Sequence, residues 1–204
     1  MSIGQRIFAS VYDPMNRAGE AGWVGRRRTG LLADVEGVVL EIGAGTGANI
    51  AHYRAAERVV LTEPCAAMRA RIAAKLPLAT VPIEVTSAPA DALEFADDSF
   101  DAVVATLVLC TVPDVASALA EVRRVLRPGG ELRFLEHGAE HHGRRAAWQR
   151  RIEPVWRRVG QGCRLTRNPR AGVEAAGFEI RRYEVFDPKA PAILRPFCEG
   201  VAVK

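Results

Sequence analysis

The stretch VVLEIGAGTGANI, Val38 to Ile50, limits the fold of this chain more than any other. A run of aliphatic residues stops at three alternating glycines, Gly43, Gly45 and Gly47, and then resumes with helix formers. Glycine accepts positive φ at no steric cost and lets a backbone come close to a ligand. A strand that ends in such a loop and passes into a helix aims ligand groups at a helix N-terminus. Gly43, Gly45 and Ala48 also fit the looser form of the dinucleotide fingerprint. Glu63, about twenty positions on, stands where an acidic residue accepts hydrogen bonds from ribose hydroxyls. Taken alone, the loop leaves open whether it holds a dinucleotide, a phosphate or a ligand with no phosphate.

The rest of the chain alternates apolar runs with helical patterns, which predicts an α/β fold. Seven runs read as strands: Val38 to Ile42, Val59 to Thr62, Ile83 to Thr86, Ala102 to Leu107, Leu132 to Leu135, Glu179 to Phe186 and Phe197 to Val203. Near-continuous Val, Ile and Leu in several of them predicts strands covered on both faces, hence a parallel sheet. The link DPKAPAILRP before the last run has three prolines and is too short for a crossover helix, so the final pair is expected to be antiparallel. The segment PDVASALAEVRRVLRPGG reads as a helix capped by Asp114, with Leu119, Val122 and Val125 on one stripe and a stop at Pro128-Gly129-Gly130. No repeat or linker divides the 204 residues, so one domain is expected.

Composition excludes more than it selects. A net charge of +4 is too mild for a nucleic-acid binder. Cys65, Cys110, Cys163 and Cys198 are scattered without a CxxC pair, which fits neither the usual zinc spacing nor a disulfide framework, and predicts a reducing, cytoplasmic setting. The longest apolar run, AVVATLVLCTV from Ala102 to Val112, is too short to cross a bilayer, so a soluble protein is expected.

Four motifs occur in order: LEIGAGTG, with Glu41 two residues before the first glycine; LTEP; DDSFDAVVATLVL; and VLRPGG. Together they resemble the class I S-adenosylmethionine-dependent methyltransferases. The resemblance implies a doubly wound, seven-stranded, mostly parallel Rossmann-like sheet with an antiparallel last strand. It implies S-adenosyl-L-methionine as cofactor, across the carboxyl ends of strands one, two and four. Gly43, Gly45, Thr46 and Gly47, with Glu41 nearby, would border the methionine part, and Tyr12 would close over its carboxylate. Glu63 would bind the ribose hydroxyls, and Met68 or Pro64 would pack on the adenine. Ala90 and Asp91, in APAD, would meet the adenine edge, although many relatives carry an acidic side chain where Pro89 stands. Thr106 and Leu107, at the end of strand four, complete the expected cofactor set.

The second half is similar to the methyltransferase-like thiol S-methyltransferases through ATLVLCTV, LRPGGELRFLEHGAE, WQRRIEPVWRRVGQGCRLTR, EAAGF and the terminal LRPFCEGVAVK. That likeness implies a small-molecule methyl acceptor, a lipophilic thiol or hydrosulfide first, with N-, O- or C-methylation of a phospholipid headgroup or quinone as the rival. A cofactor-binding protein with no acceptor is the reading outside the enzyme class. Animal members are microsomal through an apolar anchor, and this sequence shows no such segment. His137 is the candidate for deprotonating or orienting the acceptor, against an equally plain role as a satisfied structural histidine. Cys110 reads as a small buried hydrophobe, and Cys163 lies in a loop able to cover the pocket. Residues 1–36 read as an N-terminal helical cap and 138–175 as a helical lid.

Other readings are weaker. HGAEH, His137 to His141, matches a metalloprotease string, but Gly138 and the preceding strand deny it a stable helix, so no metal is expected there. Nucleic acid is not expected as substrate: the turn after strand four lacks the Asp/Asn-Pro-Pro-aromatic sequence of amino-methylating DNA enzymes. Pro64-Cys65 follows strand two rather than strand four. Arg26, Arg27 and Arg28 read as a solvated helix face. Trp148, Ile152, Trp156 and Val159 form one stripe among many arginines, which suits either a lid or peripheral contact with an anionic membrane.

Overall fold

A computed structural model describes residues 3–138 and 143–204. Two helices open the chain, α1 (Ile3–Glu20) and α2 (Trp23–Leu32). Then come β1 (Gly37–Ile42), β2 (Ala56–Thr62), α3 (Ala66–Ile72), β3 (Ile83–Thr86) and β4 (Phe100–Thr106). The second half holds α4 (Val115–Val125), β5 (Leu126–His137), α5 (Gly143–Val159), α6 (Pro169–Ala175), β6 (Glu179–Phe186) and β7 (Phe197–Val203).

The seven strands form one sheet in the order β3-β2-β1-β4-β5-β7-β6. β1 to β5 pair in parallel, while β7 runs antiparallel to both β5 and β6. The expected mixed sheet is therefore present. Its strand order reverses between β1 and β4, the place where open α/β sheets form a ligand crevice beyond their carboxyl ends.

Side chains alternate across the sheet, so each central strand feeds two cores. Leu40, Ile42, Val103, Ala105 and Phe134 pack with Leu119, Val122 and Val125 of α4. Val39, Leu61, Val104 and Leu135 pack on the other face with Leu31 and Leu32 of α2 and with Ile50 and Tyr53. Each fully buried large side chain contributes about 1.5–3 kcal/mol, which is why these strands read as near-continuous apolar runs. Asp114 caps α4 as expected, accepting from Ala116 N at 3.0 Å and Ser117 N at 3.4 Å.

Three expectations are corrected. The α4 helix ends at Val125, and Pro128-Gly129-Gly130 lies inside β5, where the register to β4 shifts between Phe100 and Ala102. β4 stops at Thr106 because Leu107 turns to φ 57°, a left-handed value no strand residue holds. No α-helix follows the glycine loop. Residues 47–52 form successive tight turns, ending in a single 3₁₀ turn at Ile50–His52. Burial of Ile50 and Tyr53 draws this short segment into the core before a helix could start.

Candidate functional site

The glycine loop takes the conformation its composition allows. Gly43, Gly45 and Gly47 have φ of 61°, 58° and 79°. A Cβ on Gly43 would lie 2.1 Å from Val108 Cγ2, so the loops after β1 and β4 touch backbone to side chain. Gly45 donates its N–H to Glu63 Oε2 at 2.9 Å, and Cys65 donates to Oε1 at 2.7 Å. Burial raises the Glu63 carboxyl above its ordinary range, opposed by those two backbone bonds. Each of its oxygens keeps a second lone pair for a ligand hydroxyl. Above Gly45, the nearest side-chain atom to an added Cβ is Met68 Cε at 3.7 Å.

Most of the expected cofactor residues sit at or just beyond the carboxyl ends of β1 to β4, which are neighbours in the sheet, with Glu41 still inside β1, Thr106 the last residue of β4 and Tyr12 on α1. Met68 and Ala90 are buried, Asp91 half-buried and Pro64 exposed, so Met68 rather than Pro64 is the apolar surface nearest the loop. The set fits a nucleoside carrying an amino-acid group: a buried carboxylate for the ribose, apolar side chains for the base and glycine backbone at the far end. The loop runs into tight turns instead of a helix, so it does not offer a pyrophosphate the helix N-terminus that dinucleotide sites use.

α1 lies over the loop. Thr46 Oγ1 donates to Asp13 Oδ1 at 2.6 Å, and Lys75 Nζ donates to Asp13 at 3.1 Å and to Thr46 at 2.9 Å. Tyr12, half-buried one residue earlier, has its phenol pushed up to about 12 by burial, against the charge of Arg28 and with Glu20 and Cys110 also near.

Arg28 corrects the reading of the arginine run. Arg26 is exposed, but Arg27 pairs with Glu184 at 2.7 Å and covers the Phe186 ring, and Arg28 is only 3% exposed. Its guanidinium donates to Glu20 at 3.0 and 3.1 Å, to Asn49 Oδ1 at 2.6 Å and to Thr106 Oγ1 at 2.7 Å. Asn49 Nδ2 donates to the same Thr106 hydroxyl at 2.9 Å. A signal for this was present: Val24, Arg28, Leu31 and Leu32 share the inward face of α2, so Arg28 occupies an apolar-face position. Glu41 is buried alongside and accepts from Tyr53 Oη at 2.6 Å.

On the other side of β4 lies a second constellation. Glu136, fully buried, accepts from Val108 N and Leu109 N at 2.8 Å each, which ties the end of β5 to the loop after β4. His137 Nε2 lies 2.9 Å from Cys163 Sγ, and Trp156 Nε1 donates to that sulfur at 3.2 Å. Cys110, His137 and Cys163 are all buried, with donor atoms within 4.8 Å of one another. Contacts with Cys110 first, then His137 and Trp156, hold the Cys163 thiol well below its usual range despite burial, while Cys110 is pushed well above it. Cys110 is buried as expected, and the structure also brings it to His137 and Cys163. Glu136 Oε2 and His137 Nδ1 are buried with no hydrogen-bond partner among the described residues.

α5 only partly follows the expected stripe. Ala146 and Gln149 are its buried residues, Trp156 turns inward to Cys163, and Trp148 and Val159 face outward. Three of the five residues of the HGAEH string, 139–141, lie outside the described residues, and His137 is its only described histidine. A groove of about 610 Å³ between α4 and α6, lined by Leu119, Arg123 and Gly172 among others, holds none of the site residues.

Comparison with known proteins bears on this geometry. A family profile described as a methyltransferase domain matches residues 40–134. A Homo sapiens protein named thiol S-methyltransferase TMT1B is 40% identical over 172 residues, covering 81% of this chain and 70% of its own length. Homo sapiens thiol S-methyltransferase TMT1A is 37% identical with the same coverage. Among solved structures, the methyltransferase in complex with the Haloferax volcanii Trm112 methyltransferase activator superposes with a TM-score of 0.73. It covers 98% of this chain and 96% of that one at 18% identity, a likeness of fold.

Proposed function

Because the chain belongs to the class I S-adenosylmethionine-dependent methyltransferases, in the family of the thiol S-methyltransferases, we propose that it methylates the sulfur of a small lipophilic thiol or hydrosulfide. The observation that carries this reading is the 40% identity over 172 residues with a protein of that name. Bound in the crevice, S-adenosyl-L-methionine supplies an electrophilic methyl group on a sulfonium. Glu63 would receive its ribose hydroxyls, Met68 and Ala90 would hold the base with Asp91 beside them, and Gly43, Gly45, Thr46 and Gly47 would hold the amino-acid end. Tyr12 closes that end from α1, and the Glu41, Thr106 and Leu107 region supports the loop from below.

Methyl displacement needs little from the protein beyond alignment, an approach of about 3 Å and exclusion of water. Roughly 5–10% of an ordinary thiol is already thiolate near neutral pH. His137, at the end of β5 beside the β4 loop, stands on the acceptor side to orient the thiol or take its proton. We assign α5 and α6 the role of a lid over that side, with the outward residues of α5 touching an anionic membrane surface.

The test is a panel of purified alkyl and aryl thiols, hydrosulfide, a quinol and an ethanolamine phospholipid, followed by mass gain of one CH₂ and release of the demethylated cofactor. Thiol products are expected, and Glu63→Ala should weaken cofactor binding at least about tenfold, as loss of a buried charge-assisted pair does. Methylation of the phospholipid or quinol alone would overturn the thiol reading. Cofactor binding with no product from any acceptor would overturn the enzymatic one.

A further inference from the structure

Resting on that reading, we propose that Cys110, His137 and Cys163 form a zinc site with one coordination position left open, where the acceptor sulfur binds as a thiolate. Three observations converge on it. The three donor atoms lie within 4.8 Å of one another, and all three residues are buried. Two thiolates and an imidazole are the donor set zinc prefers, and the described residues supply three donors, the number a catalytic zinc takes from protein when its fourth position is kept for substrate. The charges also close: one divalent ion with two thiolates and a neutral imidazole sums to zero, so the loaded cluster can sit in a buried place at low cost.

The backbone holds these donors on rigid supports. Cys110 lies in the loop after β4 and His137 is the last residue of the neighbouring β5, where Thr106 lies opposite Leu135. Arg164 donates its N–H to Cys110 O at 2.9 Å, and Cys163 donates to Gly160 O at 3.1 Å, which locks the Cys163 turn against the β4 loop. A Cβ on Gly160 would meet Trp156 Nε1 at 3.0 Å and Cys163 Cβ at 3.2 Å, so that turn is already closely packed. The Trp156 N–H donates to Cys163 Sγ, the kind of outer hydrogen bond that steadies a metal-bound thiolate. Bond lengths of about 2.3 Å to sulfur and about 2.0 Å to nitrogen separate tetrahedral donors by roughly 3.5–3.8 Å. Entry of the ion therefore replaces the proton between His137 and Cys163, now 2.9 Å apart, and widens that pair by about half an ångström. Cys110 lies in the loop that follows β4, next to Val108 and Leu109, whose N–H groups donate to Glu136 at the end of β5.

The step balances without a redox partner. The acceptor loses its S–H proton to solvent as its sulfur takes the open position. That sulfur then forms the S–CH₃ bond with its lone pair while the bond from the methyl carbon to the cofactor sulfonium breaks. The products are a neutral demethylated cofactor and a thioether, which binds zinc poorly and leaves. His137 then serves as a ligand, and the ion takes over the acidification a base would have provided.

The experiment uses the full chain, purified without chelator, with zinc counted by atomic emission and its affinity measured against a chromophoric chelator. Co²⁺ is exchanged in for absorption spectra, before and after adding 2-phenylethanethiol or its methyl thioether. One zinc per chain is expected, with affinity lowered about tenfold or more in Cys110→Ser and in Cys163→Ser but not in Cys65→Ser. The cobalt form should show thiolate-to-metal charge transfer that grows with the thiol and not with the thioether. Cofactor binding by calorimetry, retained in both variants, reports that they fold. Zinc bound at well under one per chain, or equal affinity in Cys163→Ser, overturns the site. Thiol methylation that persists after a chelator has stripped all metal also overturns it and leaves the proposed function standing. A zinc-loaded chain whose spectrum answers to thiol but which methylates none would overturn the function instead.

Discussion

Glu41 is a carboxylic acid sealed beneath the glycine loop, 2% exposed, with Tyr53 Oη donating to it at 2.6 Å. Burial pushes its pKa up to about 7, and the Tyr53 hydrogen bond and the Arg28 charge oppose the rise without cancelling it. A folded value above the ordinary 4.5 means the native chain holds the proton more tightly than the unfolded one. The resulting stabilisation is fully present below about pH 4.5, declines as pH rises, and is gone above about pH 7. Glu41→Gln removes the titration and keeps an oxygen to accept from Tyr53. Urea unfolding across that pH window should show the variant level with wild type at the acid end. At the alkaline end the variant should gain on the order of 1–3 kcal/mol. Parallel curves for the two proteins would mean that Glu41 does not titrate in this range.

At the scale of the element, α5 is weakly anchored, with Ala146 and Gln149 as its buried residues. Its inward face is narrow, and Trp148, Val155 and Val159 are 46%, 64% and 64% exposed beside the exposed Arg150, Arg151, Arg157 and Arg158. On α1, Ile7, Val11 and Met15 make a second exposed apolar stripe at four-residue spacing. Apolar side chains set among arginines suit the boundary layer of an anionic bilayer. No helix among the described residues is long and apolar enough to cross one. The full chain should therefore co-sediment with vesicles containing phosphatidylserine at low ionic strength and release as salt is raised, because the charge component is screened. Val155→Glu with Val159→Glu should reduce the bound fraction severalfold. Failure to sediment with anionic vesicles at low salt would remove the membrane assignment and leave α5 as a lid alone.

Across the whole molecule, what the sequence made legible is what period and composition encode locally. The strand runs, the Asp114 cap and the glycine loop follow from short-range patterns, and Glu63 follows from its distance after the loop. The gathering of Cys110, His137 and Cys163 does not, because three elements far apart in the chain meet only once the sheet has formed. Arg28 failed for a different reason: three consecutive arginines look alike until the face of α2 that each occupies is counted. That residue is also where the molecule is tied together. One guanidinium joins α1 through Glu20, the turn after the glycine loop through Asn49, and β4 through Thr106. A planar fork can serve three directions at once, whereas an ammonium on a flexible stem cannot. Arg28→Lys should therefore keep the charge and still lose much of the tie, leaving Asn49 and Thr106 with an unmade bond. Losing part of a buried charged network costs about 2–3 kcal/mol, which in a chain of this size lowers Tm by roughly 5–10 °C. Because Thr106 and the glycine loop share the network, the variant should also bind S-adenosyl-L-methionine more weakly. Addition of cofactor should then raise its Tm by less than it raises that of wild type. Differential scanning fluorimetry with and without cofactor reads both effects. A variant that melts within about 1 °C of wild type and shows the same cofactor shift would establish that α1, the loop and β4 hold their places without Arg28.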